Sequence, residues 1–199
     1  MKTPTNEKWL WAMRHGNNQL EEDIRIHGVW QSQSPLYPHG REEIERVRNT
    51  HLTDTEFAYL AHSPFVRARE TAEIAVPNGS WEVLKGLAPL LEKELDDVYQ
   101  ALEPERHPQD LDQVEVFIPD FCKKEGAHIQ KTASEILGKI QLGQSALFVS
   151  HQPLLGILRG LLDASFPPRE QTLPKAGIYR FRFDGNNQLL GVDTLLPPK

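Results

Sequence analysis

Short apolar runs alternate with amphipathic stretches along this chain, and that alternation predicts a succession of strands and helices. Trp9-Leu10-Trp11-Ala12-Met13 is an unbroken apolar run ended by Arg14, the signature of a strand buried on both faces. Phe57-Ala58-Tyr59-Leu60-Ala61, Trp81-Glu82-Val83-Leu84 and Ala146-Leu147-Phe148-Val149 predict three more strands. Between them the period lengthens. From Arg41 to Leu52, Ile44, Val47 and His51/Leu52 recur at helical spacing, with Glu42 and Glu43 in the first turn. Ser63-Pro64 reads as an N-cap followed by a proline at the first helical position. That helix continues through Ala68, Ala72 and Ile74 and stops before Pro77-Asn78-Gly79. His128 to Leu142 predicts a helix with Ile129, Ala133, Ile136 and Ile140 on one side, and Gln152 to Leu162 another, with Pro153 in its first turn. Ile178 to Phe183 alternates, with Tyr179, Phe181 and Phe183 on one face. Asp184-Gly185-Asn186-Asn187 is turn chemistry, and Gln188 to Thr194 returns as the hairpin partner.

Strands alternating with helices predict an α/β fold, a three-layer α/β/α sandwich with a mostly parallel central sheet covered on both faces. In such sheets ligands sit beyond the carboxyl ends of the strands. Arg14-His15-Gly16 follows the first predicted strand. His62-Ser63-Pro64 follows the second, with Arg67 one turn into the helix. Ser150-His151-Gln152 follows the fourth. Basic groups and histidines thus end three strands and can converge in one pocket. The polar stretch from Asn17 to His39 is long for a connection, and loops of that length are usually functional.

Composition narrows the picture. The chain has 199 residues, enough for one domain, and 39% apolar with 25% charged residues is the make-up of an ordinary globular protein. A formal charge of −6 carries no basic footprint for nucleic acid, and no apolar run is long enough to span a bilayer or form the core of a secretory signal. We therefore expect neither a nucleic-acid nor a membrane partner. One cysteine, Cys122, excludes an internal disulfide framework and a cysteine-based zinc site, fits a cytoplasmic location, and reads as a packed residue. Residues 92–115 carry nine acids against two bases, with Pro104 and Pro108 among them, and read as part of a small helical cap inserted at about 97–127 or as a solvated face.

Two arginines and two histidines suit a small polyanion, because a guanidinium fork matches phosphate oxygens in bidentate fashion. Phosphoryl transfer needs positive charge around the equatorial oxygens and an in-line nucleophile. No carboxylate or histidine cluster has metal-ligand spacing, so the arginines would supply that charge, with neither metal nor cofactor. An unprotonated histidine can be the nucleophile near neutral pH.

These motifs resemble those of the histidine phosphatase superfamily, the phosphoglycerate mutase-like proteins. Arg14-His15-Gly16 after a strand resembles its signature opening. Ser63-Pro64-Phe65-Val66-Arg67-Ala68-Arg69-Glu70-Thr71-Ala72 resembles its second motif, and Leu147-Phe148-Val149-Ser150-His151 its third. The resemblance covers nearly the whole chain outside 97–127. It implies that His15 becomes a phosphohistidine, that Arg14, Arg67 and His151 bind the transferring phosphoryl group, and that Glu92, within Leu90-Leu91-Glu92, protonates the leaving oxygen, with Glu94 in reserve. Asn17 and Arg25 are candidate substrate contacts, beside plainer roles as a loop cap and a loop ion-pair partner. After Gly16 the chain reads Asn17-Asn18-Gln19-Leu20 rather than the mutase run, and Ser150-His151-Gln152-Pro153-Leu154 is similar to bacterial phosphohistidine phosphatases. The implied activity is metal-independent hydrolysis of a phosphorylated small molecule or phosphoprotein, with a non-catalytic phosphate-binding module as the rival reading.

Overall fold

The computed structural model describes residues 6–18, 34–89, 119–152, 154–163 and 173–198. Six strands, β1 (Lys8–Arg14), β2 (Phe57–His62), β3 (Trp81–Val83), β4 (Ser145–Ser150), β5 (Ile178–Phe183) and β6 (Leu189–Leu195), form one sheet in the order β3-β2-β4-β1-β5-β6. The β3-β2, β2-β4 and β4-β1 pairs are parallel, whereas β1-β5 and β5-β6 are antiparallel. The described helices are α1 (Pro38–Val47), α2 (Val66–Ala75), α3 (Pro119–Gly138) and α4 (Leu154–Leu162).

Side chains alternate across a strand, so an all-apolar strand feeds two cores. Leu10 and Ala12 of β1, with Ala146 and Phe148 of β4, pack under α3 and α4 through Ile129, Ala133, Ile136, Leu155 and Leu158. Trp11 and Met13, with Leu147 and Val149, pack on the opposite face against Ile44 and Val47 of α1 and Ala68 and Ala72 of α2. The three predicted layers are therefore present. Tyr179, Phe181 and Phe183 share one face, as their alternation predicts, and all three enter the first core. Arg180, on the other face, pairs with Asp193 at 2.7 Å and lies over the rings of Trp9 and Trp11.

Three predicted elements need correction. The helix expected over Arg41 to Leu52 starts at Pro38 and stops at Val47, after which Arg48–Leu52 forms a π-helical turn. The helix expected from His128 to Leu142 runs from Pro119 to Gly138, so residues 119–127 of the expected insertion extend a helix of the core. The polar run Lys123-Lys124-Glu125-Gly126 masks the periodicity there, although Glu125 is fully buried. The remainder of the insertion, through residue 118, lies outside the described residues. Ser63-Pro64 does not cap α2. Phe65 is its N-cap, and no side chain caps it. The Ser63 hydroxyl instead accepts the Phe65 N–H at 3.3 Å and bonds His151 at 2.7 Å.

Candidate active site

At the carboxyl ends of β1, β2 and β4 the sheet delivers its chemistry. Parallel pairing in register places Arg14 beside Ser150 and His62 beside Val149, so His15, Ser63 and His151 leave adjacent strands at one level. The His15 N–H donates to the Ser150 carbonyl and the Ser63 N–H to the Val149 carbonyl, which ties the three turns together. The Thr71 hydroxyl accepts the Gly16 N–H at 3.1 Å and donates to the Arg67 carbonyl at 2.7 Å, linking the loop after β1 to α2.

His15, Arg67 and His151 meet there. All are buried, Arg67 with 1% of its surface exposed. His15 Nδ1 lies 2.8 Å from the Gly16 carbonyl. A carbonyl only accepts, so Nδ1 carries the proton and Nε2 holds a lone pair. Arg67 Nε donates to that Nε2 at 3.3 Å. The His15 and His151 rings lie 5.1 Å apart. His151 Nε2 is bonded to the Ser63 hydroxyl, while its Nδ1 is buried with no hydrogen-bond partner among the described residues. Phe65 packs on His151 at 4.9 Å and under the Arg67 guanidinium at 4.8 Å, an apolar wall between the two. Arg14 donates to the Leu173 carbonyl at 2.6 Å.

Burial holds the pKa of His15 well below the ordinary histidine value, and the charges of Lys175, Arg67 and Arg14, with His151 when it is protonated, push it the same way. His151 is lowered by burial and then by Arg67, Lys175 and Arg14. Both rings are thus neutral at pH 7. The sign of the linkage follows. The unfolded chain takes up protons near about pH 6.5, where the folded histidines do not. The stability they contribute is complete above that value and is lost as pH falls from it toward the depressed folded values. The thermal midpoint is expected to drop between about pH 7 and about pH 5. A midpoint that rises over that interval contradicts this assignment.

Of the other predicted residues, Asn17 turns its amide NH2 to Glu43 of α1 at 3.2 Å. Arg25, Glu92 and Glu94 lie outside the described residues. Three residues that the strand-end logic passed over belong to the site. Phe65 stands at a variable position of the second motif, and Thr71 is one of its fixed positions, to which the sequence assigns no role. Lys175 lies in the strap 173–177 that leads into β5. Backbone bonds from Ala176 N–H to the His15 carbonyl and from Arg14 N–H to the Gly177 carbonyl pin that strap to the end of β1. Ala176 adopts φ 57°, a left-handed conformation costing a side-chain-bearing residue roughly 1–2 kcal/mol. Among the described residues no group of three His, Cys, Asp or Glu side chains could hold a metal ion.

The model of the histidine phosphatase superfamily (branch 1) matches residues 10–192, and the chain belongs to that family. No curated protein sequence matches it significantly. Similar solved structures include the protein histidine phosphatase SixA complexed with tungstate, at 21% identity over 95% of this chain and 97% of that one, TM-score 0.59. Phosphoglycerate mutase from Bacillus anthracis str. Sterne is 20% identical over 98% and 95%, TM-score 0.69. The alpha-ribazole phosphatase from Shigella flexneri is 17% identical over 96% of each chain, TM-score 0.66. At these identities the likeness establishes the phosphoglycerate mutase-like fold.

Gly40, in the first turn of α1, is packed against the loop after His15. A Cβ there would lie 2.3 Å from the Asn17 carbonyl oxygen and 2.9 Å from its nitrogen, so that backbone must shift. Displacements of this size near reacting groups cost up to about 100-fold in rate. Gly40→Ala is therefore expected to lower kcat/KM for an aryl phosphate by roughly 10- to 100-fold. Unchanged kinetics would show that the loop tolerates the shift.

Proposed function

We propose that this protein is a phosphatase that hydrolyses phosphomonoesters, or phosphoramidates, through a covalent phosphohistidine on His15 and without a metal ion. The observation that carries this reading is the pair of contacts His15 makes through its two ring nitrogens, from which its tautomer follows. A buried imidazole gives its Nδ1 proton to its neighbour's carbonyl and turns an unprotonated Nε2 toward the Arg67 guanidinium.

In this reading the phosphoryl group sits among Arg14, Arg67 and His151. His15 Nε2 forms a bond to phosphorus as the bond to the leaving oxygen breaks. Glu92 gives that oxygen its proton. Water then attacks phosphorus and loses a proton to the Glu92 carboxylate, and the P–N bond breaks to return neutral His15 and inorganic phosphate. The arginines hold charge on the equatorial oxygens throughout, the part a metal plays in many phosphoryl transfers. Asn17 and Arg25 are the further substrate contacts we propose.

A second reading keeps this chemistry but places a phosphohistidine-bearing protein in the pocket, so that the bond cleaved is P–N. It is supported by the likeness to SixA and by the Ser150-His151-Gln152-Pro153-Leu154 string. A single cysteine makes the cytoplasm the compartment we favour.

The test is hydrolysis by purified protein of an aryl phosphate, a panel of phosphorylated metabolites and a phosphohistidine domain, with and without EDTA. We expect turnover of at least one substrate, unaltered by EDTA. Preference for the phosphohistidine domain selects the second reading. Loss of activity on chelation contradicts the metal-free mechanism. A protein that binds phosphate but hydrolyses nothing is a binding module.

A further inference from the structure

The strap 173–177 brings to the site a cation that none of the three motifs contains. Lys175 is half-buried, and its ammonium donates to the Asn18 side-chain carbonyl at 3.1 Å. Asn18 is itself buried, 1% exposed, and anchored by an antiparallel bridge to Leu36. The other end of its amide, Nδ2, is buried and donates to no acceptor among the described residues. A buried amide N–H without an acceptor is costly, and it stands beside a cation. The ammonium bonds one end of this amide and the other end keeps an N–H to give, and both are donors of the kind an oxyanion accepts. The next residue, Ala176, is bonded through its N–H to the His15 carbonyl, and among the charges Lys175 lowers His15 most and His151 second most.

We propose that Lys175 and Asn18 bind an oxygen of the transferring phosphoryl group, making Lys175 a third fixed cation of the pocket beside Arg14 and Arg67. This rests on the phosphatase reading. Phosphoryl oxygens carry negative charge, which a third cation beside Arg14 and Arg67 favours. Among the described residues Glu43 also faces Lys175 and Arg14. The strained φ of Ala176 and its bond to the His15 carbonyl keep the lysine at this mouth.

The experiment is calorimetric titration of inorganic phosphate into wild type, Lys175→Met and Lys175→Arg, with kcat/KM for an aryl phosphate measured against pH. A charge-assisted bond lost from an anion site corresponds to about 10- to 100-fold in affinity. Lys175→Met is expected to weaken phosphate binding by that factor and Lys175→Arg to restore most of it. With one cation removed from beside His15, and Arg14, Arg67, His151 and Glu43 still in place, the acid limb of kcat/KM moves to higher pH in Lys175→Met. Unchanged phosphate affinity in folded Lys175→Met overturns the proposal. So does a loss confined to esters that carry a carboxylate beside the phosphate, which would place Lys175 on the leaving group. If Lys175→Met does not fold, failure of Lys175→Arg to bind phosphate better than a neutral Lys175→Gln variant overturns it equally. Because phosphate binding is read directly, a wild-type protein that binds phosphate but does not hydrolyse esters refutes the phosphatase reading and leaves the lysine assignment standing.

Discussion

Replacing His15 by alanine is expected to lower kcat for an aryl phosphate by on the order of 10^4-fold or more, the scale on which a covalent nucleophile is lost. Its Nε2 is the atom to which the phosphoryl group is assigned, and His151 does not substitute for it, because its Nε2 is engaged by Ser63. The substitution removes a buried ring, so some loss of stability accompanies it. A circular dichroism spectrum and thermal midpoint separate the two effects. His15→Asn keeps part of the volume and a polar group, and is expected to be just as inactive. Wild-type turnover in a folded His15→Ala protein removes the proposed mechanism.

The second large effect is at Arg67. Its guanidinium is fully buried, touches His15 through Nε and lies over the Phe65 ring. A guanidinium presents a rigid fork that suits two phosphate oxygens. Arg67→Lys preserves the charge but loses the fork and the planar stacking on Phe65. Removing one donor aimed at developing charge costs about 10²- to 10³-fold in kcat. We expect a loss of that size in Arg67→Lys, mostly in kcat, with a larger loss in Arg67→Ala, which also leaves a cavity. A change confined to KM would mean that Arg67 binds substrate and transition state equally well.

Much of this site is legible in the sequence because sheet and pocket share one rule. A strand buried on both faces must be an apolar run, and the residues that break the run at its carboxyl end are then the residues of the pocket. Arg14-His15 ends β1 and Ser150-His151 ends β4 by that logic, and the structure brings them together. The local signal misleads where a distant partner decides. Ser63-Pro64 carries the statistics of a helix N-cap, yet the Ser63 hydroxyl bonds a histidine 88 residues away. Lys175 and Asn18 are 157 residues apart and belong to stretches without periodicity, so only the antiparallel pairing of β5 with β1 makes them neighbours. The first nine residues of α3 were concealed because a buried Glu125 and Gly126 interrupt the apolar spacing on which a helix is read. Asn17 and Asn18 show the same limit at the scale of one residue. Both are polar and both follow the signature, but one faces Glu43 on α1 and the other is buried against the strap.

The most direct test of the phosphohistidine is to quench the enzyme at alkaline pH during turnover of an aryl phosphate and locate the phosphate by mass spectrometry. The account predicts an acid-labile, alkali-stable phosphate on the peptide that contains His15, absent from His15→Ala. Phosphate on any other residue, or continued turnover in a folded His15→Ala protein, would contradict it.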